Sequence, residues 1–252
     1  NDTIDATGLN VPVEFDGGPG NNNLTGGNMD DVLVSDHRGQ HCTNPQGMTV
    51  PCKDTLRGGG GKNRFRVKPG SDVELIEDVA TSFSTIDFGA AETGIQFNLG
   101  LFAGQVQTVD ASGNTVAITG QFEELVGSSF GDKLTSNVAG SMLFGGDGED
   151  TITATTGDVT VFGGDGQDTT EITGVVTLFG GDGEDEVMAH GGLVTVFGGD
   201  GDDNAVVTDG QVTIFGGNGA DETDVLGGTV TVFGGEGNDI TDISGGAVTV
   251  FG

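Results

Sequence analysis

Phe144, Phe162, Phe179, Phe197, Phe215, Phe233 and Phe251 recur at intervals of 18, 17, 18, 18, 18 and 18 residues. Each of the first six is followed by Gly-Gly, any residue, Gly, any residue, Asp. The Asp closing that turn is Asp150, Asp168, Asp185, Asp203, Asp221 or Asp239. A fixed period of this length is the mark of a solenoid, in which each repeat is one coil that cannot bury its apolar face alone. Eighteen residues hold two short strands and two turns.

The strands can be read from stretches such as Val159-Thr160-Val161-Phe162. β-Branched residues alternate there as they do on a half-buried pleated surface. Stacking puts equivalent positions one strand spacing apart, roughly 4.8 Å. Val161, Leu178, Val196, Ile214, Val232 and Val250 are then predicted to form one inward ladder, and Ile152 and Val187 a thinner one on the opposite wall. Counting outward from Val161 turns Phe162 and Thr160 to the surface, and the same holds in each coil. The ladder Phe162, Phe179, Phe197, Phe215 and Phe233 is therefore a possible assembly face. Two readings stay open: the rings stack only on one another, or they form a lateral docking surface, since contiguous exposed apolar stripes are unusual.

The turns carry the chemistry. Glycine lets carbonyls crowd together without a Cβ in the way. Carbonyls converging with a carboxylate make hard oxygen sites of the kind calcium prefers, whereas magnesium wants a tighter octahedron and keeps its water. Gly145-Gly146-Asp147-Gly148-Glu149-Asp150-Thr151-Ile152-Thr153 fits Gly-Gly-x-Gly-x-Asp-x-apolar-x at every position. In this the chain resembles the RTX (repeat-in-toxin) family, whose nonapeptides build a parallel β-roll.

The resemblance implies an all-β fold, a parallel β-roll (β-solenoid) of 18-residue coils with calcium-binding Gly-Asp turns mainly along one edge. It implies calcium between successive turns, held by turn carbonyls and the sixth-position Asp. The metal ligands expected are Asp132, Gly145, Asp147, Asp150, Gly163, Asp165, Asp168, Gly180, Asp182, Asp185, Gly198, Asp200, Asp203, Gly216, Asn218, Asp221, Gly234, Glu236 and Asp239. Asn218 and Glu236 replace the usual Asp at third positions, where the family's ligand is the backbone carbonyl. Family arrays usually carry calcium turns on both edges, but turns such as Thr156-Gly157-Asp158 lack the sixth-position Asp. One calcium-lined edge and one edge of ordinary tight turns are expected. Asp132 lies 18 residues before Asp150 in a degenerate copy, so seven turns enclose about six Ca2+ ions.

Upstream, Gly17–Thr25, Gly26–Val34 and Gly58–Arg66 are further nonapeptides with weaker ligands, Asn63 standing where Asp is usual in the last. The expected organisation is degenerate repeats over 1–66 with an insertion at 35–57, an irregular β segment that flanks or caps over 67–126, and a regular roll over 127–252, continuing beyond residue 252. Cys42 and Cys52 within the insertion most simply form a disulfide. His37 and His41 lie close enough for zinc with the cysteines instead, although the pattern matches no zinc spacing well, and free thiols are a third possibility.

No catalytic residue is assigned. Gly127-Ser128-Ser129-Phe130-Gly131 fits Gly-x-Ser-x-Gly, but Asp132 in the 18-residue register explains the same residues better. Asp200-Gly201-Asp202-Asp203-Asn204 begins like an EF-hand loop, but Ala205 and Gln211 stand where its Gly and Glu belong. The net charge of -31 argues against nucleic acid as a partner, and no apolar run approaches a membrane span.

Three classes of function follow. One is an extracellular, calcium-dependent structural or adhesive protein of a surface layer, matrix, filament or adhesin, secreted unfolded and partnered with itself or with other surface components. Another is the secretion and folding module of an RTX exoenzyme or toxin. The third is a solenoid enzyme acting on polysaccharide, which would expose a cluster of Lys, Arg, His or Tyr; after Lys133 only His190 is of those types. The regular array and the lack of a readable catalytic constellation favour the first.

Overall fold

A computed structural model describes residues 1–36, 42, 43, 45–50, 52–69, 73–78, 83–101 and 103–252. The described residues form β-strands and turns without a helix, and no helix is long and apolar enough to cross a membrane. The chain is a parallel β-solenoid, and it divides into two compact units, Asn1–Ser128 and Ser129–Gly252.

In the second unit each coil lays one strand on each of two walls. On one wall Leu143, Val161, Leu178, Val196, Ile214 and Val232 stack in register, all at most 3% exposed. Val159, Val176, Val194, Val212 and Val230 form a second inward column beside them. The facing wall contributes Ile152, Thr170, Val187, Ala205 and Thr223, and next to these Ala154, Ile172, Ala189, Val207 and Val225. The core is thus a slot four side chains wide, which suits Ala, Val and Thr rather than bulky residues. Val250 continues the column beside Val232 and is 47% exposed.

Outward residues alternate with these as the strand period demands. Phe144 through Phe251 stack with ring centroids 4.7 to 5.0 Å apart and planes within 10° of parallel. That spacing is the strand spacing itself, so the parallel register imposes ring stacking. Offset stacking of this kind adds about 0.5–1.5 kcal/mol per pair beyond area burial.

The first unit repeats the plan with larger side chains. Parallel strands Thr3–Asp5, Asn23–Thr25, Thr55–Arg57, Val73–Glu77 and Thr115–Thr119 form one wall, extended by an antiparallel strand, Val106–Thr108. The other wall runs Glu14–Asp16, Val32–Asp36, Arg64–Lys68, Ser84–Asp87 and Phe122–Val126. Leu24, Leu56 and Ile76 stack inside one wall and Leu33, Phe65, Ile86 and Leu125 inside the other, all fully buried. Cys42 and Cys52 are disulfide-bonded across a short hairpin, with Cα atoms 5.0 Å apart, so the thiolates are not available to zinc. His37 and His41 lie outside the described residues.

Candidate metal-binding edge

The Gly-Asp turns fall in line along one edge of the second unit. In each, the sixth-position Asp folds its carboxylate back into the turn, where Asp150, Asp168, Asp185, Asp203 and Asp221 are only 1–8% exposed. The two carboxylate oxygens do different work. Oδ1 accepts the backbone N–H of the corresponding Asp one coil earlier, from Asp132 to Asp150 at 2.7 Å and onward through Asp168, Asp185, Asp203 and Asp221 at 2.9–3.0 Å. Asp221 donates to Asp239 in the same way at 3.3 Å. Oδ2 of Asp150, Asp168, Asp185, Asp203 and Asp221 is buried with no hydrogen-bond partner.

Five buried anionic oxygens without partners are a costly arrangement unless a cation accompanies them. The glycines show where it fits. A Cβ built on Gly163 would run into Asp168 Oδ2 and the carbonyl oxygen of Gly180 in the next coil. The same pair of oxygens meets at Gly145, Gly180, Gly198 and Gly216, and Asp239 Oδ2 lies against Gly234. A carboxylate oxygen and a carbonyl oxygen from successive coils thus face a spot left open by the missing side chain. All these donors are hard oxygens, the ligand type that calcium takes.

The remaining sequence-predicted ligands occupy a different place. Asp147, Asp165, Asp182, Asp200, Asn218 and Glu236 point their side chains to solvent. The carbonyls of Asp165, Asp182, Asp200, Asn218 and Glu236 accept the N–H of the fourth-position Gly one coil earlier at 2.7–2.8 Å. A carbonyl has two lone pairs, so each keeps one for a further donor or ion. The opposite edge closes through Gly157, Gly174, Gly192, Gly210, Gly228 and Gly246, all at positive φ, without an inward carboxylate.

Burial pushes the Asp150 and Asp203 carboxyls up to about 7 and that of Asp168 up to about 6, with neighbouring carboxylates adding to the rise. Asp185 and Asp221 move in the same direction for the same first cause. A group whose pKa is raised on folding contributes stability that is full below its unfolded value, near 3.8, and lost as pH rises through the folded value. In chelator, therefore, lowering the pH from 8 to 5 is expected to restore part of the β-sheet circular dichroism, with protons standing in for the cation. A chelated chain whose β signal does not rise over that range would contradict the burial of these carboxylates.

Sequence reading missed Asp54, which is 1% exposed and accepts the Asn22 N–H at 2.6 Å. The spacing Asp54-Thr55-Leu56 matches Asp31-Val32-Leu33, so an Asp-x-apolar triplet was the signal available. Buried Asp78 carries no comparable one.

A family model for the RTX calcium-binding nonapeptide repeat matches residues 15–36, 53–74, 144–170 and 197–229. No curated protein sequence matches the chain. The matched segments fall in both units and include the turns closed by Asp150, Asp168, Asp203 and Asp221. Parallel coils of 18 residues, partnerless Asp oxygens aligned along one edge and the repeat match together show RTX calcium-binding nonapeptide repeats carried on a parallel β-roll.

Proposed function

We propose that the chain is an extracellular structural or adhesive protein whose array folds when calcium enters the Gly-Asp edge and whose flat Phe-Thr face then joins copies together. Asp132, Asp150, Asp168, Asp185, Asp203, Asp221 and Asp239 supply the carboxylates, and the six intervals between them hold six ions. The first Gly of each turn and the third-position residue supply carbonyls. An oxidising, calcium-rich exterior suits both the disulfide and the ion requirement, and RTX repeats are typical of secreted proteins.

The observation that carries the assembly reading is where charge is missing. Residues 145–252 hold 21 of the 39 acids and none of the 8 bases. Yet the outward positions of the Phe wall are Phe and Thr columns with a third column of Asp158, Val175, Leu193, Gln211, Thr229 and Ala247. Asp158 is the single carboxylate among them. The opposite wall presents Glu171, Glu186, Glu222, Asp224 and Asp242. In so acidic a protein, the surface that meets an identical surface with least repulsion is this one, so the occupant is a second copy of the chain.

Six coils at roughly 4.8 Å spacing and a strand width of about 17 Å give roughly 500 Å² per copy, about 1,000 Å² per pair, the lower bound for a specific interface. Association is therefore expected to depend on concentration. Replacing Phe179, Phe197 and Phe215 together by Thr, which keeps strand propensity, should abolish calcium-dependent self-association in sedimentation velocity while β structure persists. Unchanged assembly of this variant would remove the face from the account. Calcium-induced folding of the wild type without any particle growth would point instead to a passive folding module.

A further inference from the structure

The N-terminal turns solve the same problem in a different way. Asn22 and Asn63 occupy the sixth position and are 3% and 1% exposed. Their Oδ1 atoms accept the N–H of Asp2 and of Asp31 at 2.9 and 3.0 Å, the role Oδ1 of Asp plays in the second unit. The other side-chain atom is the one that differs. Asn22 Nδ2 donates to the carbonyls of Gly18 and Gly20 at 2.9 and 3.3 Å, and Asn63 Nδ2 donates to that of Gly60 at 3.2 Å.

Nδ2 of Asn22 lies against Gly17, and Nδ2 of Asn63 against Gly58, as Oδ2 of Asp150 lies against Gly145. A buried donor therefore stands where the second unit has a buried acceptor without a partner. Carboxylates approach the two amides, Asp54 Oδ2 at 3.5 Å and Asp78 Oδ1 at 3.4 Å. In the intervening turn Asp31 keeps its carboxylate, but Oδ1 accepts the Val13 N–H at 2.9 Å and Oδ2 the Gly27 N–H at 2.6 Å.

We infer that the amides of Asn22 and Asn63 take the place of the cation in their turns, so that these family-matched turns reject calcium and the first unit holds its edge without it. A cation there would meet N–H dipoles pointing at it, and the carbonyls of Gly18, Gly20 and Gly60 already accept from those same amides. Asn or Asp at the sixth position thus decides which turns are ion-dependent. The inference rests on the calcium reading of the second unit.

Hydrogen exchange on the intact chain, in millimolar calcium and in chelator, tests it. The Asp31 amide, which donates to Asn63, should change protection by less than about threefold, while the amides of Asp150, Asp168 and Asp185 lose more than about 100-fold. In Asn63→Asp the Asp31 amide should become calcium-dependent, losing at least about tenfold in chelator, and native mass spectrometry should count one further ion. The reciprocal change, Asp168→Asn, should remove at least one ion and serves if the first variant fails to fold. Loss of Asp31 protection in wild-type chain together with that of Asp168 would overturn the inference, as would an Asp168→Asn chain that keeps every ion. If instead the Asp150, Asp168 and Asp185 amides ignore calcium, it is the calcium reading of the second unit that fails.

Discussion

Chelating calcium from the intact protein is expected to unfold residues 129–252, abolishing their hydrogen-exchange protection and most of the β-sheet circular dichroism they contribute. Ligand linkage sets the size of the effect. At an ion concentration 100 times the dissociation constant, each site stabilises the folded form by about 2.7 kcal/mol, and six such sites by about 16 kcal/mol. That exceeds the whole stability of an ordinary domain, roughly 5–15 kcal/mol. Residues 145–252 also have no Lys or Arg to offset 21 carboxylates, so the chelated array repels itself. Returning calcium should restore the signal, and magnesium at the same concentration should not. β structure that is unchanged in strong chelator at neutral pH would refute the calcium dependence of the roll.

The second large effect concerns the backbone of the turns. Gly181 has φ near 125°, and a Cβ there would overlap the carbonyl oxygen of Gly164 one coil away. A side chain at this position is excluded twice, by its own dihedral and by a neighbour that is backbone and cannot swing aside. Gly181→Val is expected to cost more than about 4 kcal/mol, the range reserved for such combined faults. Because the coils interact only with their neighbours, the damage should be local, opening the stack between the coils of Asp168 and Asp185. Limited proteolysis in calcium should then cut between these coils, leaving the first unit intact. Gln211→Val, on an outward column that already carries Val175 and Leu193, should alter stability by less than about 0.5 kcal/mol. Equal behaviour of the two variants would contradict the stacking of turn on turn.

The roll was legible because its signal is repeated. One Val-Thr-Val-Phe could belong to many folds, but Leu143 through Val232 recurring with Gly and Asp at fixed offsets leaves one way to stack them. Parallel pairing then follows, and with it the ring stacking of Phe144 to Phe251, since residues that repeat in sequence become neighbours in space. The inward column of the facing wall that runs from Ala154 to Val225 was harder to see because Ala, Ile and Val vary there and the turn after it changes length.

The first unit lacks that redundancy. Asn22 and Asp54 are separated by 32 residues because an insertion carrying the disulfide lies between coils, so periodicity fails although stacking does not. The role of Asn63 was not legible at all. In sequence it reads as a weaker oxygen ligand, whereas the geometry makes it a donor to Gly60, and the direction of a hydrogen bond is fixed only once the turn is folded.

In the proposed function the partnerless Oδ2 atoms of the Gly-Asp edge hold calcium. Native mass spectrometry of the intact chain across a calcium titration tests it most directly, with Asp185→Asn measured alongside. The account predicts a compact species carrying an ion for each of the six intervals from Asp132 to Asp239, and at least one fewer in the variant. A compact wild-type chain that takes up no calcium in the millimolar range, or a variant with an identical ion count, would contradict it.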